Sequence, residues 1–164
     1  MANLTVWKFN TVDGAEKAIA KLGELQKQHL IEVQDAAIVS WEPGKKKPKT
    51  RQAVPTGTLG ALDGAFWGML FGLLFFVPIF GMAVGALAGA LSGHFADYGI
   101  NDDFIKDVRA KVTEGTSALF LMSENATVDK VLEAFSGEQM ELIQSNLSGE
   151  EEAKLREHFQ VAAQ

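Results

Sequence analysis

The stretch Gly57-Thr58-Leu59-Gly60-Ala61-Leu62-Asp63-Gly64-Ala65-Phe66-Trp67-Gly68-Met69-Leu70-Phe71-Gly72, answered by Gly81-Met82-Ala83-Val84-Gly85-Ala86-Leu87-Ala88-Gly89-Ala90-Leu91-Ser92-Gly93, decides how this chain reads. Glycines recur every fourth position in each half: Gly60, Gly64, Gly68 and Gly72, then Gly81, Gly85, Gly89 and Gly93. On a helix that spacing places them on one face. A helical glycine costs about 1 kcal/mol relative to alanine, so eight in register require a compensating close approach of backbones. The two halves mirror each other about Phe75-Phe76-Val77-Pro78-Ile79-Phe80, and an antiparallel pairing sets Gly72 against Gly81 and Gly60 against Gly93. The spacing predicts an apolar helical hairpin over residues 55–99, packed through its glycines.

Outside that stretch the periodicities are those of a small α+β domain. Leu4, Val6 and Phe9 among Thr5 and Trp7 predict a strand. Ala15, Ala18, Ile19, Leu22 and Leu25 form one apolar helical stripe, with Glu16, Lys17, Lys21, Glu24 and Lys27 on the other face. A second strand follows, with Val33, Ala37, Val39 and Trp41 on one side. Beyond the hairpin, Asn101 with Asp102 and Asp103 opens a helix that Gly115 stops. A strand over 116–123, a helix over 127–135, a strand over 138–145 and a charged helix started by the Ser148–Glu151 capping box complete the chain. With the hairpin and the helix after it set aside, the order is βαββαβ, a ferredoxin-like α+β domain interrupted by an apolar glycine-zipper helical hairpin. The organisation reads as 1–54, the first half of the domain with a basic loop; 55–99, the hairpin; 100–147, the second half; and 148–164, the terminal helix.

The pairing of a small α+β domain with the glycine run at 57–64 and 85–93 resembles a bacterial family of glycine-zipper hairpin membrane proteins of unknown function, related to ferredoxin-like general stress proteins. That resemblance implies a membrane-associated, stress-related role and supplies no catalytic residues to carry over.

Charge and composition narrow the function classes. The net charge is −6 over 164 residues, with no cysteine, which rules out disulfides and thiolate chemistry. Residues 101–164 hold thirteen acids against six bases, an unfavourable balance for nucleic acid. The positive charge is local: Lys45, Lys46, Lys47, Lys49 and Arg51 precede the apolar stretch, where they would meet anionic lipid head groups or stand as a solvated loop. No stretch of the N-terminus reads as a signal peptide, so the α+β domain is expected in the cytoplasm. His29 and His158 lack metal-ligand spacing, and no phosphate-binding glycine motif follows a strand. Neither an enzyme activity, a cofactor, a metal nor a small-molecule substrate is expected.

Each half of the hairpin, 59–76 and 79–96, is long enough at about 1.5 Å per residue to cross about 27 Å of hydrocarbon. The outer faces carry Phe66, Trp67, Leu70, Phe71, Leu74, Met82, Leu87 and Leu91, which would face lipid or another subunit. Exposed on a monomer, they would form an apolar patch beyond the few hundred Å² normal for a soluble protein. The first expectation is therefore a non-enzymatic, self-associating protein inserted in the inner membrane, a scaffold or stress protein. The second is a soluble homo-oligomer (ring, cage or filament) with hairpins buried between subunits in the cytoplasm. The third, an oligomeric pore, rests on Asp63, His94 and Asp97 near the hairpin base.

Overall fold

In a computed structural model, residues 3–52, 64–76, 100, 102–124, 133–135, 140–145 and 153 are described. Their elements run β1 (Asn3–Phe9), α1 (Gly14–Lys27), β2 (Glu32–Ser40), β3 (Lys49–Gln52), α2 (Gly64–Phe71) continued by a π-helical turn (Gly72–Phe76), α3 (Asp102–Lys111), β4 (Ser117–Glu124) and β5 (Met140–Ser145). The strands form one five-stranded sheet in the order β3-β2-β4-β1-β5, every neighbouring pair antiparallel. β4 lies at its centre. Ser117-Ala118-Leu119-Phe120-Leu121-Met122 is apolar on both sides because both faces of this sheet are covered.

One face carries α1. Its stripe of Ala15, Ala18, Ile19, Leu22 and Leu25 is buried against Trp7, Phe9, Ile38, Leu119, Leu121 and Leu142, with Phe135 closing the layer. The other face carries α2, the π turn and α3. Trp67, Leu70, Phe71 and Leu74 pack with Phe104, Ile105 and Val108 over Leu4, Val6, Ala37, Val39, Phe120 and Met122.

This architecture corrects the expected one. A ferredoxin-like βαββαβ domain with an inserted helical hairpin is not what the chain builds. The residues read as a basic loop supply a fifth strand, β3, which pairs with β2 through Ala37–Gln52 and Ser40–Lys49. The described part of the apolar stretch is an eight-residue helix plus one π turn lying on the chain's own sheet. Among the described residues no helix is long and apolar enough to cross a membrane, so the reading of 59–76 as a membrane-crossing helix is overturned. Tertiary burial supplies the reason. Covering four large apolar side chains against a sheet removes about 1.5–3 kcal/mol of exposure each, which satisfies α2 without lipid. The second half of the expected hairpin, 79–96, lies outside the described residues.

Local irregularities set which side chains reach which face. The β2–β4 register shifts between Val33 and Asp35, a bulge at Gln34. Val33 thereby joins the α1 face while Asp35 points with Ala37 and Val39 to the α2 face, so the expected single side of Val33, Ala37 and Val39 is split. The Val33 N–H donates to Gln26 Oε1 of α1 at 2.7 Å. At the start of α1, Asp13 occupies the cap position but makes no side-chain capping bond. The Ala15 N–H donates instead to Ser117 Oγ (3.0 Å), and that hydroxyl donates to the Thr11 carbonyl (2.7 Å). Gly115, at φ +82°, turns the chain into β4 and sends its N–H to the Trp41 carbonyl.

Candidate functional site

β2 carries two carboxyls, Glu32 exposed at its start and Asp35 buried between Gln34 and the apolar run Ala36-Ala37-Ile38-Val39. The bulge turns Asp35 into the layer between the sheet and α2, where it is fully buried. Both carboxyl oxygens accept hydrogen bonds. Gln52 Nε2, at the end of β3, lies 2.9 Å from Oδ1 and 3.1 Å from Oδ2. Trp67 Nε1, in the first turns of α2, donates to Oδ2 at 3.2 Å, and the Ala36 N–H donates to Oδ1 at 2.8 Å. Satisfaction of this kind is what allows a buried polar group to persist at all.

An aromatic cluster surrounds the Trp67 end of this network. The Trp67 ring stacks on Phe71 at 5.8 Å, and both meet Phe120 edge-on. The π turn carries Phe75, which packs edge-on against Trp41 at 6.0 Å. Trp41 Nε1 in turn donates to the Lys45 carbonyl at 2.8 Å, so the base of the basic turn is anchored to the aromatic layer.

The expected site residues divide by location. Trp67, Leu70, Phe71 and Leu74, expected to face lipid or a neighbouring subunit, are buried under the chain's own sheet layer. This corrects their assignment: the side expected to be outermost is the inner one. Phe66 lies within α2. Met82, Leu87 and Leu91 lie outside the described residues. Of the hairpin-packing glycines, Gly64 starts α2, Gly68 is exposed and Gly72 half-buried; a Cβ added at Gly68 or Gly72 meets no atom within 4 Å. Gly60, Gly81, Gly85, Gly89 and Gly93 lie outside the described residues, as do Asp63, His94 and Asp97.

Lys45, Lys46 and Lys47 are exposed in the β2–β3 turn, and Lys49 and Arg51 are exposed on β3 itself. Arg51 donates to Glu16 of α1, tying the edge strand to the helix layer beneath. Charged side chains on a short edge strand also discourage pairing with other chains. Among the described residues no three His, Asp or Glu side chains come together as a set able to hold a metal ion.

Asp35 and Gln52 are absent from the residues that composition and spacing single out. A carboxyl beside the apolar run of a strand was the available signal for Asp35. For Gln52 no local signal exists, since its role comes from the β2–β3 register.

No curated protein and no solved structure matches the chain. The model of one protein family, described as Protein of unknown function (DUF1269), matches residues 61–160, which takes in α2, α3, β4 and β5. That span covers more than half of the molecule, and the chain belongs to the DUF1269 family.

Proposed function

We propose that this protein is a non-enzymatic scaffold that assembles with copies of itself through the apolar segment 55–99. The observation that carries this reading is the orientation of α2. Its buried side chains Trp67, Leu70, Phe71 and Leu74 are committed to the chain's own sheet, while Gly68 stands exposed at the flank of that stripe, a patch of bare backbone. A surface of that kind stabilises close contact with another helix by van der Waals packing. The sequence adds a second support, because residues 77–99 contain no Lys or Arg and remain strongly apolar. A stress-related role follows from the resemblance alone and rests on no observed residue.

Sedimentation of the detergent-free protein tests the reading. A particle several times 17.7 kDa is the expected result, and Gly68→Leu should lower that mass while leaving the circular dichroism of the domain intact. A 17.7 kDa monomer over a hundredfold range of concentration would refute self-assembly.

A further inference from the structure

Asp35 touches both segments that flank residues 53–63: Gln52 is the last residue of β3, and Trp67 is the fourth residue of α2. We infer that the Asp35 carboxyl is a latch that couples the edge strand β3 to the seating of α2, so that neither leaves the sheet without loosening the other.

Three observations make the coupling physical. First, β3 is four residues long, at the sheet edge, and exposed along most of its length. By itself it is a weakly held element that opens locally at small cost. Secondly, the carboxyl uses both oxygens as acceptors toward these two elements, and it is buried. Removing Gln52 takes one donor from a buried carboxyl that also accepts from Ala36 and Trp67, and the loss weakens the network that holds the Trp67 indole in place. Thirdly, Trp67 is the start of the aromatic layer. Its ring supports Phe71, and Phe71 supports Phe75 at 6.4 Å, so a shift at the indole reaches the π turn. The basic strand is therefore a handle on the apolar helix. Pulling β3 from the edge takes Gln52 from Asp35 and so loosens the seating of Trp67 and of the Phe71 ring stacked on it.

Hydrogen exchange of the full-length protein, followed by mass spectrometry, tests the latch. Trp67→Phe keeps an aromatic ring and removes the N–H; Gln52→Leu removes the amide at the edge strand without touching α2. Each lost hydrogen bond should raise exchange in its own element and also in the other by about threefold to tenfold. Thus Gln52→Leu should speed exchange over 64–76, and Trp67→Phe over 49–52, with amides of β1 and β4 unchanged. Asp35→Asn, which sets an NH2 donor against one of the donors, should loosen both elements together. If Asp35→Asn does not fold, the other two variants still decide the matter. Changes confined to the mutated element, or spread equally into β1 and β4, would overturn the coupling.

Discussion

Ser117→Ala removes one oxygen atom at the start of β4 and should weaken a helix more than a hundred residues earlier in the chain. The Ser117 hydroxyl accepts from the Ala15 N–H at 3.0 Å and donates to the Thr11 carbonyl at 2.7 Å, with Ser117 and Ala15 both fully buried. Ala15 lies in the first turn of α1, where N–H groups have no partner within the helix. Alanine leaves that donor buried without an acceptor, at about 1–3 kcal/mol, and the cavity is no larger than a hydroxyl. We therefore expect a loss of about 2 kcal/mol, which for a chain of this size lowers Tm by about 4–8 °C. Calorimetry or thermal circular dichroism of both proteins at one concentration measures it. Asp13→Ala is the informative companion, because Asp13 holds the sequence-local cap position and makes no side-chain capping bond. The reasoning is refuted if Ser117→Ala melts with the parent protein, or if Asp13→Ala costs more than Ser117→Ala.

Gly14→Ala should destabilise by about 1–3 kcal/mol, since the new Cβ would lie 2.4 Å from Phe9 Cβ, an atom close to the β1 backbone that cannot swing aside; denaturant unfolding would show the shift in midpoint. Gly68→Ala runs the opposite way: its Cβ meets nothing within 4 Å, so helix propensity should raise the stability of the domain by up to about 1 kcal/mol, and a lowered midpoint would show that the position needs a bare backbone for stability. For pH, the hydrogen bond donated by Lys17, followed by that donated by the Thr11 hydroxyl, holds the Asp13 carboxyl below its ordinary 3.8. A depressed carboxyl stabilises the folded state above its unfolded pKa, and that contribution is lost as pH falls below 3.8 and through the folded value. Carbon-detected NMR should find the Asp13 midpoint below 3.8, moving upward in Lys17→Ala; an unmoved midpoint would remove Lys17 as the cause.

The elements whose burial follows from their own spacing were legible before any fold was known. The stripe Ala15, Ala18, Ile19, Leu22 and Leu25 is buried as a unit, and β1 spans Asn3–Phe9. The apolar run in β4 announces a strand covered on both faces. The candidate site was barely legible. Asp35 could be noticed as a carboxyl in an apolar strand, but its partners, Gln52 and Trp67, come from other elements.

What the sequence by itself determined is the periodic part: which residues of α1 and β1 leave water, and that a strand follows Gly115, because a helix or a strand repeats on a scale of two to four residues. Only the tertiary structure decided the rest. The bulge at Gln34 reverses the facing of β2, and the lysine-rich stretch becomes an edge strand because β2 offers it a ladder. Ser117 serves the start of α1 from across the sheet. Above all, the apolar stripe of α2 satisfied lipid, a neighbouring subunit or the chain's own sheet equally well on paper. Hydrophobic burial is non-directional: it requires that Trp67, Leu70, Phe71 and Leu74 leave water, and says nothing of what covers them. That choice was made by the uncovered face of Val6, Val39, Phe120 and Met122, which exists only once three distant strands have come together.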